Sequence, residues 1–474
     1  MTRPAASKPF WATVGMKFLP FADAATKELP LGRLLRLALF QVSVGMAVVL
    51  LNGTLNRVLV VELGVPVWII ALLIALPLVV APFRALIGHK SDTHRSLLGW
   101  RRVPYIWLGT MLQFGGLAIM PFALLLMSRP EDFAIGVSAS ALAFLLTGAG
   151  MHVTQTAGLA LATDLAPEKS RPRVVALLYV MLLAGMMLSA LVIGSLLVDF
   201  SAMRLVEVIQ GAAVLTMLLN IAALWKQEAR NKAATAPDRH RPAFSDVWRA
   251  FISEGRTARL LIAIGCGAAA FSMQDALLEP YGGEILGLSV GATTGLTGIW
   301  ALGTLAGFTL AGRMLSRDAD PLRIAGLGGV AGIAAFMIVL FAGPLGSPGL
   351  LYTGAAAIGF GVGLFSVGTL IAAMALAREE TAGLALGAWG AVQATAAGLG
   401  IALGGIIRDI FTSLALADAL GSTLAVQTTG YGIVYCIEIG LLLCMLIVLG
   451  PLAGGRQGVT PGAPKQFGLS EFPT

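Results

Sequence analysis

Apolar residues run along this chain in long blocks. Read in windows of about 19 residues, the pattern predicts about twelve membrane-crossing helices, near 34–61, 67–88, 104–127, 133–163, 174–198, 205–225, 260–283, 291–315, 322–342, 349–377, 384–412 and 430–452. Each block reaches the roughly 20 residues that cover about 30 Å of hydrocarbon at 1.5 Å per residue, whereas barrel strands would alternate over short segments. The longest polar interruption, KQEARNKAATAPDRHRPAFSDVWR from Lys226 to Arg249, falls near the midpoint and leaves six predicted spans on either side. The predicted organisation is an N-terminal segment 1–33, a six-helix half 34–225, a linker 226–259, a second half 260–452 and a tail 453–474.

Composition excludes a water-soluble domain. Hydrophobic residues make up 57% of the 474, charged residues 12%, and mean hydropathy is +0.85. Lys90, Arg95, Arg101 and Arg102, then Lys169, Arg171 and Arg173, then the run from Lys226 to Arg259, then Arg313, Arg317 and Arg323 fall in one set of loops. The other set holds little beyond Arg129, Arg204 and Arg408. Because translocating cations is disfavoured, both termini are expected in the cytoplasm, and the net charge of +7 reflects that bias with a weak attraction to anionic headgroups, not a nucleic-acid partner. Residues 1–33 are charged throughout and lack the apolar core of a cleavable signal, so the first span is expected to direct insertion. Within them KPFWATVGMKFLPF, Lys8 to Phe21, mixes aromatics with lysines as an interfacial helix would, though a disordered tail fits nearly as well. Cys266, Cys436 and Cys444 all fall inside spans and read as small apolar side chains.

The two halves resemble each other. VELGVPV at 61–67 matches EILGLSV at 284–290, and Gly88 with Asp92 matches Gly312 with Asp318, all offset by roughly 223 residues. The loops at those places, GHKSDTHRSLLGWRR and GRMLSRDADPLR, resemble the signature loop of the major facilitator superfamily. In such a loop the glycine lets helices approach, while the aspartate pairs with arginines; the residues concerned are Gly88, Asp92, Arg95, Arg101, Arg102, Gly312, Arg313 and Asp318.

Polar groups at membrane depth are expensive and need partners. The first span carries Asn52, Asn56 and Arg57 and the seventh carries Gln274, Asp275 and Glu279, which the repeat offset places at similar depth. Arg57 is expected to pair with Glu279 or Asp275 between the halves; the alternative is a snorkelling arginine. His152, in GAGMHVTQTAGLALATD (Gly148 to Asp164), is the only histidine inside a span. It reads either as an interhelical hydrogen-bonding group or as an axial ligand, with Gln155 on the same helix face and with Gly148, Gly150, Ala157 and Gly158 leaving room for a helix or a flat ligand. Trp300 and Trp389 lie within spans, where they serve as core or line a planar ligand's cavity. No metal-ligand constellation, phosphate loop or nucleophile–base pair is present in the sequence, so an enzyme is not expected.

Four longer segments, LNGTLNRVLVVELGVPVW, APFRALIGHKSDTHRSLLGWRRVPYIW, GMHVTQTAGLALATDLAPE and QDALLEPYGGEILGLSVGATT, make the likeness specific. They resemble the PucC/LhaA family of phototrophic bacteria, also called the bacteriochlorophyll delivery family, and the likeness runs from about residue 18 to 452. The resemblance implies a multi-pass protein of the photosynthetic membrane. It would assist light-harvesting complex assembly by holding or delivering bacteriochlorophyll beside antenna alpha and beta polypeptides. It also implies His152 as a candidate ligand for the chlorin magnesium, with Gln155, Trp300 and Trp389 as further pigment contacts, and leaves room for a carotenoid, bacteriochlorophyll synthase as a partner, and a homo-oligomer. KFLPFADAA, Lys17 to Ala25, is closer to the LhaA branch, which serves the core antenna. The competing expectation is a secondary transporter of a small solute, coupled to protons through Asp275 or Glu279.

Overall fold

The computed structural model describes residues 29–79, 100, 102–167, 171–228, 255–315, 317–375 and 382–453. Every regular element among them is helical: α1 (Leu31–Leu37), α2 (Leu39–Val48), α3 (Val67–Ala75), α4 (Val103–Met127), α5 (Phe133–Leu165), α6 (Arg171–Leu196), α7 (Ala202–Leu224), α8 (Gly255–Met273), α9 (Leu278–Glu284), α10 (Val290–Leu315), α11 (Pro321–Ala342), α12 (Pro348–Ala375), α13 (Ala382–Leu416) and α14 (Thr428–Ala453), with short π- and 3₁₀-helical pieces between them. Eleven helical runs in the described residues are long and apolar enough to cross a membrane, and a shorter apolar helix, Val67–Leu78, begins where the second span is predicted. The protein is thus an all-α, multi-pass membrane protein, as its hydropathy predicts. The segment 8–21, Gly88, Asp92, Arg95, Arg101, most of the linker and the tail beyond 453 lie outside the described residues.

The repeat read from sequence reappears in the backbone. Gly64 and Gly287, separated by 287 − 64 = 223 positions, both adopt φ +65°, the left-handed conformation that glycine takes without a Cβ penalty. Around them Val65 N–H donates to the Leu59 carbonyl at 2.9 Å and Leu288 N–H to the Gly282 carbonyl at 3.0 Å, the same bond at the same offset. In each half the span before this turn also loses regular α geometry. The first passes into π-helical turns at Val49–Leu55 and Val58–Glu62. The seventh breaks at a 3₁₀ turn, Gln274–Ala276, before α9 resumes.

Small residues bring the helices together. A Cβ on Gly150 of α5 would stand 2.6 Å from the Gly109 carbonyl oxygen of α4, so that pair packs backbone to backbone. Between the halves α6 meets α10, where a Cβ on Gly291 would lie 2.5 Å from the Gly194 carbonyl oxygen. Likewise α3 meets α13, where one on Gly405 would lie 3.0 Å from the Val67 carbonyl oxygen. In this apolar setting polar side chains act as glue: Ser43 Oγ donates to Asn220 Oδ1 at 2.8 Å, Asn220 Nδ2 to Thr110 Oγ1 at 2.9 Å, and Gln113 Nε2 to the Ser43 carbonyl at 3.0 Å.

Candidate functional site

The two interrupted spans meet at a cleft between the halves. Asn52 from the first span, Gln274, Asp275 and Glu279 from the seventh, and Thr297 and Trp300 from α10 supply its polar wall, with Val48, Met186 and Leu278 completing it. Non-α turns expose backbone and re-aim side chains, and paired interruptions in repeated halves are where transporter-type folds place their binding sites. Thr297 Oγ1 donates to Glu279 Oε1 at 2.8 Å, and Asn56 Nδ2 donates to the Asp275 carbonyl at 3.3 Å. Gln274 Nε2 donates to Asp275 Oδ1, while its buried Oε1 has no partner. The indole Nε1 of Trp300 is likewise buried without an acceptor.

Arg57 does not make the predicted pair with Glu279 or Asp275. It is 5% exposed, pairs with Glu62 of its own span, and donates through Nη2 to the Leu288 carbonyl of the other half at 3.1 Å. The physical reason is the π-helical stretch between the two: its wider turn brings residue i+5 onto the face that i+4 occupies in an α-helix. Nor does Arg57 snorkel to water. It still joins the halves, but through a carbonyl, alongside the Thr54–Thr294 hydroxyl contact at 3.1 Å.

Arg408 is the other departure. Expected among loop cations, it sits in α13, 6% exposed, and pairs with Glu284 and, at 2.6 Å, with Asp409. Tyr431 of α14 completes the cluster: its hydroxyl donates to Glu284 Oε2 at 2.7 Å and accepts from Arg408 Nη2 at 3.1 Å, while the guanidinium carbon lies 4.4 Å from its ring centroid. Asp409 Oδ2 reaches the other half, accepting from Trp68 N–H at 2.8 Å. Glu438 of α14 is a second buried acid that the sequence reading passes over; it is fully buried.

The four pigment candidates do not share one lining. Trp300 belongs to the cleft, and Trp389 Nε1 donates to Thr369 Oγ1 at 3.2 Å, a helix-packing contact. Gln155 Nε2 reaches Gln41 Oε1 at 3.4 Å, and His152 is half-buried on α5. Of the two occupants expected beside His152, a helix or a flat ligand, helices take the room: Gly148 faces Pro77, Gly158 faces the Phe40 ring, and Gly150 faces the α4 backbone. These glycines pack helices; they do not cradle a ring.

At the other end of α5, Arg102 Nε donates to Asp164 Oδ2 at 2.9 Å, and Glu228 accepts the Arg102 and Val103 N–H groups at 2.9–3.0 Å, capping α4. In the second half Gly312 is buried within α10, Arg313 lies in its last turn, and Asp318 takes a left-handed φ of 59°. It is Asp320 that caps α11, accepting from Leu322 N–H at 2.9 Å. Among the described residues no group of three or more His, Cys, Asp or Glu is arranged to hold a metal ion.

This architecture, two repeated helical halves around a cleft, defines a multi-pass membrane protein with a transporter-like fold. A bacterial homologue of the lysosomal transporter Spinster, solved in an inward-facing, unoccupied conformation, superposes with TM-score 0.67 at 15% identity, covering 89% of this chain and 96% of that one, a likeness of fold. Residues 54–457 match the family described as PUCC protein, and the chain belongs to that family. Protein PucC of Rhodovulum sulfidophilum is 57% identical, covering 84% of this chain and 89% of its own. An uncharacterized protein of the puhA-bchM intergenic region of Rhodobacter capsulatus is 51% identical over 99% of both chains.

Proposed function

We propose that the protein is a non-enzymatic assembly factor for light-harvesting complexes, which holds or delivers bacteriochlorophyll beside antenna polypeptides in the photosynthetic membrane, with both termini cytoplasmic. The observation that carries this reading is the family match across 54–457, joined to the family resemblance of the four long segments. The core antenna as client rests on KFLPFADAA alone. His152 is the candidate axial ligand. A neutral imidazole supplies one nitrogen to a chlorin magnesium while the other hydrogen-bonds, and His152 is only half-buried within a span. Because the neighbouring glycines are filled, His152 would act as a ligand without a glycine-lined bed for the macrocycle.

The test is His152→Phe in the pigmented host, read as antenna absorption of isolated membranes. This reading expects a fall of at least about tenfold in assembled antenna, with the variant present in the membrane at the parental level; unchanged antenna removes His152 from the role. A second reading, proton-coupled transport of a solute through Asp275 or Glu279, is favoured by the polar cleft between the halves. It expects Asp275→Asn to abolish uptake of a water-soluble compound into vesicles while antenna levels hold.

A further inference from the structure

The geometry points to a second ligand site, separate from any pigment: the cleft at the paired helix interruptions binds a small molecule carrying a primary ammonium group beside an acceptor oxygen. The polar wall consists mainly of acceptors. Asp275 and Glu279 present carboxyl groups at membrane depth, and Gln274, 2% exposed, directs its amide nitrogen to Asp275, leaving Oε1 buried and unpartnered. Asn52 adds an amide, donor and acceptor both, on the facing helix, and the Thr297 hydroxyl is already committed to Glu279. No Lys, Arg or His lines the cleft among the described residues, and Arg57 on the facing span is spent on Glu62 and the Leu288 carbonyl. Glu438, fully buried on α14, adds a third acid that interacts electrostatically with Asp275.

A primary ammonium, with three donors and no acceptor, complements this set. A bare metal ion does not, because the described residues hold no three-ligand His/Cys/Asp/Glu group and one wall is an indole. That indole decides the rest. Trp300 lines the cleft, and its buried, unpartnered N–H calls for an acceptor on the same ligand.

The experiment uses the full chain made in a non-phototrophic host, so that no pigment is present and failure of the assembly reading leaves it unaffected. Phenylalaninamide, which carries the ammonium and a carbonyl, is titrated against 3-phenylpropanamide, the same skeleton without the amine, by calorimetry and tryptophan fluorescence. Saturable binding of the amine, at least about tenfold tighter than the des-amino compound, and its loss in Asp275→Asn/Glu279→Gln support the site. Equal binding of the two compounds, or no saturable binding of the amine tighter than about 1 mM, overturns it. Trp300→Phe is a second variant, expected to bind the amine more weakly and to lose the fluorescence response. If it retains both, the indole has no part and the inferred ligand is wrong.

Discussion

Arg408→Leu is expected to destabilise the protein by roughly 3–5 kcal/mol, the range for removing one partner of a buried ion pair and stranding the other. The guanidinium holds two carboxylates, Glu284 and Asp409, and covers Tyr431, at the end of the bundle where Asp409 also receives Trp68 N–H from the other half. Without it both acids remain in a region poor in water. The triple variant Arg408→Leu, Glu284→Gln, Asp409→Asn is expected to recover part of the loss, because no charge is then left unpaired. Thermal unfolding in mild detergent measures both. A triple variant less stable than the single one would mean that the hydrogen bonds, and not the charge balance, dominate.

Gly116→Ala is expected to cost roughly 1–3 kcal/mol, whereas Gly115→Ala, one residue away, is expected to be neutral or to gain up to about 1 kcal/mol from helix propensity. A Cβ on Gly116 would stand 2.6 Å from both the Ala143 carbonyl oxygen and the Thr147 amide nitrogen, backbone atoms that move only if α4 and α5 separate. At Gly115 nothing lies within 4 Å. Equal effects of the two substitutions in the same unfolding assay would contradict close backbone packing of α4 on α5.

Hydropathy made most of the fold legible, since a span is a property of some twenty consecutive residues and local averaging finds it. The predicted 133–163 became Phe133–Leu165, and the predicted 430–452 became Thr428–Ala453. The repeat was legible because Gly64 and Gly287 satisfy the same backbone demand at the same offset. The clustering of Asn52, Gln274, Asp275 and Glu279 followed from that offset as well. What was not legible depended on departures from α geometry or on distant partners. Arg57 met Glu62 because the intervening turn is π-helical, which no α-helical face analysis anticipates. Glu284 lies 124 positions from Arg408, and Glu438 is one acid in a window of otherwise apolar residues, so averaging conceals both. The small residues around His152 leave room for a helix or a flat ligand by sequence alone, and the structure places Pro77, Phe40 and the α4 backbone against its glycines, which is the helix alternative. Small residues mark close approach without saying what approaches.

The most direct measurement of the central claim is the near-infrared spectrum and chain content of the protein purified in mild detergent from a pigmented phototrophic host. The account predicts bacteriochlorophyll in stoichiometric amount together with antenna polypeptides. Colourless protein free of antenna chains, active in carrying a water-soluble compound into vesicles, would contradict it.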